Sequence, residues 1–157
     1  MVTRSARRRA ILIIGSGLYA ISFFLIAVAR HHGRSTTLGY DCAWMALRFP
    51  WGDNLFGHHG LFEDRLLEYF SLLLSGWINP TFLVAALFVF RRPSTRTARV
   101  LAIATLAMIP FCWVVFFWQG MYPREGHVAW IAGMLLVLGE ALSPRIRPAL
   151  PRATLTV

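Results

Sequence analysis

YFSLLLSGWINPTFLVAALFVF, residues 69–90, carries no charged side chain over a length sufficient to cross a bilayer. A spanning helix needs about 20 predominantly apolar residues to cover a hydrocarbon core of about 30 Å. Outward from this stretch lie three comparable ones: residues 10–29 before it, and residues 100–120 and 126–142 after it. The fourth reaches spanning length only by including Glu140, whose carboxylate would snorkel toward an interface. The expected fold is an all-α integral membrane protein, one domain over residues 1–157 with four transmembrane helices.

Composition leads to the same place. The 157 residues are 57% hydrophobic and 15% charged, with a mean hydropathy of +0.56. Soluble domains are about one quarter charged, so a water-soluble globule, a disordered chain and a disulfide scaffold are all poor fits. Little chain is left for a separate enzymatic domain. Net charge is +9, from sixteen basic residues, every one an arginine, and seven acids. A soluble protein this basic would suggest a nucleic-acid partner. Here the arginines flank the apolar runs, where insertion topology and anionic lipid headgroups account for them and no nucleic acid is expected.

The arginine distribution sets the expected orientation. Arg4, Arg7, Arg8 and Arg9 fall on one side with Arg91, Arg92, Arg96 and Arg99, and with Arg145, Arg147 and Arg152. The other side holds five arginines and six of the seven acids. The positive-inside rule then puts both termini in the cytoplasm (N-in, C-in), with residues 30–68 as an outer loop and residues 143–157 as a cytoplasmic tail. A multi-pass protein of a cell membrane, the inner membrane of a bacterium, is the localisation expected. The Arg7–Arg9 cluster, the apolar run and Ala27-Val28-Ala29 also mimic a signal peptide. That run exceeds the usual 7–15 residues, so an uncleaved first helix is favoured. Within the outer loop, the aromatics and scattered charges of residues 40–51 predict a short interfacial helix.

Three constellations could carry chemistry. The histidines His31, His32, His58, His59 and His127 all fall on the outer side, near Glu63 and Asp64. Imidazoles with carboxylates are ordinary ligands of zinc or copper(II), although no recognised ligand spacing occurs; otherwise no cofactor is expected. Closure of the bundle would have to bring the two His-His-Gly segments together. In the second span Glu68, Ser71, Ser75 and Asn79 are spaced 3, 4 and 4 and share a helix face, with Pro80 following. Pro80 disturbs the helix at the Gly76 carbonyl, and such a stripe either lines a path or bonds between helices. In the fourth span Gly126, Ala129 and Gly133 form a small-residue face for close helix approach, and Glu140 is expected to pair with Arg91, Arg92, Arg99 or Arg145.

Cys42 and Cys112 form no C-x-x-C pair, which removes a dithiol mechanism, and read as small apolar residues. No nucleophile–base set or phosphate loop appears, so the residues point away from an enzyme. The expected function is that of a non-enzymatic accessory, interaction or immunity-type component of a membrane system, with a membrane protein partner or a second copy of itself. The alternatives are a small transporter or channel component, with a polar path along Glu68, Ser71, Ser75, Asn79 and Pro80, and an outward-facing metal-binding protein. A lipid-handling enzyme using His58 or His59 with Glu63 or Asp64 is the remaining one.

Overall fold

The structure, a computed structural model, describes residues 4–30, 36–48 and 66–143. Among these are five helices and three short strands: α1 Arg4–Ser22, β1 Ile26–Arg30, β2 Thr36–Leu38, α2 Gly39–Arg48, α3 Leu66–Arg91, α4 Arg96–Trp118, β3 Met121–Pro123 and α5 Glu125–Leu142. Three helices are long and apolar enough to cross a membrane, over Phe70–Arg91, Arg96–Trp118 and Glu125–Leu142. They correspond to the expected stretches 69–90, 100–120 and 126–142. Helix α2 occupies the stretch expected to be a short helix in the first loop.

The first expected span, residues 10–29, is corrected. Helix α1 begins among the arginines and stops at Ser22, so its charge-free part, residues 10–22, covers only about 20 Å at 1.5 Å per residue. The Ser22 hydroxyl turns back to the Tyr19 carbonyl at 2.6 Å, and the β-branched Ile26 and Val28 continue as a strand. The architecture is therefore helical with a three-stranded antiparallel sheet, order β2-β1-β3, which the apolar run concealed. Strand β1 pairs Val28 with Thr37 on one side and Ala29 with Tyr122 on the other.

Backbone bonds tie that sheet to the helix ends. The carbonyls of Phe23 and Leu25, just past α1, accept from the N–H groups of Tyr40 and Gly39 at 3.0 Å each. The loose end of one helix thereby satisfies the start of another. Gly39 is required there, because a Cβ would overlap the Ser22 carbonyl. Gly120, at φ +61°, turns the chain out of α4 into β3. At the opposite, arginine-rich end Thr95 caps α4: its hydroxyl oxygen accepts from the Ala98 N–H at 3.2 Å.

The helices pack chiefly as two antiparallel pairs, α1 with α5 and α3 with α4. Small residues decide the first. The expected small-residue face of α5 is used within this chain: Gly133 lies against the backbone of Gly15 and Tyr19, and Gly126 against the Ile26 carbonyl. Ala85, Ala98 and Ala102 are fully buried in the core with Val89, Val137 and Leu138. The outward faces are apolar as well: Leu83, Val84, Leu87 and Phe90 on α3, and Val100, Ile103, Trp113 and Phe117 on α4, are exposed. In water such continuous apolar surface would be an association site; in hydrocarbon it is already solvated. The solvent is written into this exposure pattern.

The close helix contact yields a paired test on α5. A Cβ at Gly133 would sit 2.6 Å from the Tyr19 nitrogen, whereas one at Gly139 meets nothing within 4 Å. Gly133→Ala is expected to destabilise by about 1–3 kcal/mol through overpacking, and Gly139→Ala to hold or raise stability through better helix propensity. Denaturant titration of helicity in mixed micelles reads both; coincident midpoints would contradict the α1–α5 contact.

Candidate ligand cavity at the sheet end

A cavity of about 280 Å³ lies between α2, α3, α4 and α5, closed toward the sheet by Ala27 and Val28 of β1. The sequence explains each wall. Helix α2 enters over glycine, since a Cβ at Gly76 of α3 would overlap the Ala46 carbonyl; Cys42, Ala43 and Ala46 then face the interior. The other walls are mainly apolar: Leu72, Ile78, Val115, Phe116 and Trp130, with the flexible thioethers of Met45 and Met121. No Arg, Asp or Glu is among the described residues lining it.

Asn79 and Trp130 form its floor and join Tyr19, just outside the lining, in a hydrogen-bonded triad. The Asn79 Oδ1 accepts from the Tyr19 hydroxyl at 3.0 Å and from the Trp130 indole N–H at 2.9 Å. Below, Tyr19 rests on Phe82 with ring centroids 4.3 Å apart, and beneath that lies the apolar core of Ala85, Val89 and Met134. The expected polar stripe is thus divided. Ser75 and Asn79 line the cavity, and Ser75 is a hydrogen-bond neighbour of Cys112. Ser71 is fully buried outside it, with no partner for its hydroxyl among the described residues, and Pro80 is half-buried in an α3 that continues through it. The Glu68 side chain lies outside what the structure describes.

His127 is the residue whose role the sequence did not anticipate. It is 5% exposed, lines the cavity, and is surrounded by Phe116, Trp130 and Trp113 at centroid distances of 4.9, 5.2 and 5.8 Å. Its Nε2 is buried and has no hydrogen-bond partner among the described residues. The metal ligands expected beside it, His31, His32, His58, His59, Glu63 and Asp64, lie outside the described residues. Among the described residues no three His, Cys, Asp or Glu side chains gather to hold a metal. Cys42 and Cys112 are both free and both line the cavity. Burial pushes the Cys42 thiol up to about 11, with the neighbouring Asp41 carboxylate adding to the shift.

At the arginine end Glu140 has a partner on α1 that was not among those expected, and Arg145, one of the expected four, lies outside the described residues. Its Oε2 lies 3.9 Å from Nε of Arg8 on α1, rather than beside the arginines of α3 or α4. Arg8 also donates from Nη2 to the Val89 carbonyl at 2.8 Å, so one side chain ties α1 to both α3 and α5. A legible signal existed: Arg8, Leu12, Gly15 and Tyr19 are spaced 4, 3 and 4, and the last three are buried.

No family model, curated protein or solved structure matches this chain. The reading of the cavity rests on its own chemistry.

That chemistry separates two substitutions. A buried polar group without a partner costs about 1–3 kcal/mol. His127→Phe keeps the ring among its aromatic neighbours and removes the orphan nitrogen, so it is expected to leave thermal stability unchanged or higher. Asn79→Leu strands the Tyr19 hydroxyl and the Trp130 N–H, and is expected to lower stability by about 2–5 kcal/mol. Thermal unfolding of the ligand-free protein in detergent, followed by circular dichroism, checks both; a clear loss in His127→Phe would mean that Nε2 has a partner within the protein.

Proposed function

We propose that this chain is a non-enzymatic, four-span membrane protein that holds a small uncharged molecule taken from the bilayer, as a binding or carrier component of a membrane system. The cavity supports it: about 280 Å³ within the helices, bordered by a buried imidazole nitrogen that no described group satisfies. An apolar cavity of about 150 Å³ already admits benzene, so this volume suits one substituted ring or a comparable chain. The absence of charged groups among the described lining residues favours an uncharged occupant, because a buried unpaired charge is far costlier than a buried dipole. The closed floor at Asn79 and Trp130, with Tyr19 bonded behind it, favours a pocket over a through-channel.

In this proposal α1 completes the fourth crossing together with its turn and β1. The arginine end faces the cytoplasm of a bacterial cell, against anionic headgroups. The cavity then lies about 15–20 Å from the Arg8–Glu140 level, counting 1.5 Å per residue along α3 and α5. An enzyme active only in the cytoplasm, fused after Val157, is expected to report activity; activity only of a periplasmic reporter would reverse the orientation.

Occupancy is tested by purification in lipid nanodiscs, solvent extraction and mass spectrometry. One compound is expected at near-stoichiometric enrichment with the wild-type chain and absent from Ala43→Phe, which fills the cavity. Identical extracts from the two would defeat the proposal. A second reading, an accessory protein acting through contact, draws on the exposed α2 face of Tyr40, Trp44 and Leu47. It requires a membrane protein that co-purifies with wild type and is lost in Trp44→Ala.

A further inference from the structure

The bonds at the cavity floor narrow the class of occupant. An indole N–H donates and cannot accept, so the Trp130 bond fixes which end of the Asn79 amide faces it: the oxygen. The Tyr19 hydroxyl donates to the same oxygen. Asn79 therefore has its NH2 group, a pair of donors, to direct away from Trp130, and Asn79 lines the cavity. His127 adds a ring nitrogen that finds no protein partner among the described residues. A neutral imidazole carries one N–H and one lone pair, and a bound acceptor selects the tautomer that donates to it.

We infer that the occupant is an uncharged, membrane-soluble ring bearing carbonyl oxygens, the head-group chemistry of a quinone, received by the Asn79 amide donors and His127. The inference rests on the cavity being a ligand site. A plain hydrocarbon of the same size leaves the imidazole nitrogen unpaired in apolar surroundings and offers the Asn79 amide no acceptor. A carboxylate or an amine brings a charge that no described lining residue neutralises. A sugar brings many hydroxyl donors to walls built from Leu72, Ile78, Val115 and Phe116. A ring carbonyl supplies acceptors and introduces no donors. The flat faces of Phe116 and Trp130 suit a planar ring, and Met45 and Met121 adapt to its substituents. The step is one of binding alone; no bond is made and no electron moves.

The experiment compares duroquinone with durene, the same tetramethylated ring with and without its two carbonyl oxygens. Full substitution leaves the quinone ring no open carbon for attack by Cys42 or Cys112. Each compound is equilibrated with protein in nanodiscs and with empty nanodiscs, and saturable uptake is referred to the concentration dissolved in lipid. Duroquinone is expected to bind at least tenfold more tightly than durene. His127→Phe should cost duroquinone about fivefold and leave durene unchanged. Asn79→Asp keeps an oxygen for Tyr19 and Trp130 and removes both amide hydrogens, so it should remove most of the preference for the quinone. If Asn79→Asp does not fold, the His127→Phe comparison stands by itself. Equal affinity for the two rings, unchanged in His127→Phe, overturns the carbonyl inference and leaves the cavity reading intact. Uptake of neither ring, while another uncharged compound co-purifies, overturns it in the same way. Uptake of neither with no co-purifying compound overturns both.

Discussion

A backbone N–H or C=O shut away from water must find its partner within the chain, and here the early end of α1 at the buried Ser22 makes that demand. The solution is structural economy at one point. Carbonyls past the helix end are met by the first amides of α2, and the extended segment that follows is met on both sides by β2 and β3. Much of the sheet end follows from that. Gly39 and Gly126 have to be small because backbone passes directly against them. Helix α2 is drawn across the bundle by its own first turn, and the space left between it and α3, α4 and α5 is the cavity.

The polar groups of the interior sort by the same rule. Tyr19, Asn79 and Trp130 satisfy one another across three helices and mark where the packed core begins. Arg8 does comparable work at the arginine end, combining a carbonyl bond with a long ion pair to Glu140. A partly buried pair at 3.9 Å offers more in fixing the register of α1 against α3 and α5 than in net stability. His127 stands apart because its aromatic neighbours shield it while its Nε2 finds no hydrogen-bond partner among the described residues.

What the sequence made legible was whatever a helix reveals about itself. Long charge-free runs located α3, α4 and α5; the aromatic stretch located α2; the spacing of Ser75 and Asn79 put them on one face, and they do share one cavity. Features joining distant segments were not legible. Ile26 to Ala29 are as apolar as a helix end, and only pairing with residues 36–38 and 121–123 makes them a strand. Glu140 was matched to arginines near in sequence or topology, whereas its neighbour lies at the far end of the chain on α1. His127 was grouped with polar residues by its place beside a loop, and one helical turn into α5 was enough to bury it.

The pairing of α1 with α5 has a consequence for biosynthesis. The first helix and the last are partners, separated by roughly a hundred residues of chain, and a ribosome adds about 5–20 residues per second. For about 5–20 s after α1 emerges, the groove around Gly15 has nothing to receive, and β1 lacks the β3 edge that follows α4. The α3–α4 hairpin, local in sequence, can close in that interval without either of them. The cavity cannot exist until the final helix arrives to complete the ring. Translation order thus makes the cavity a property of the finished chain alone, and the newborn α1 waits longest for the surface it packs against.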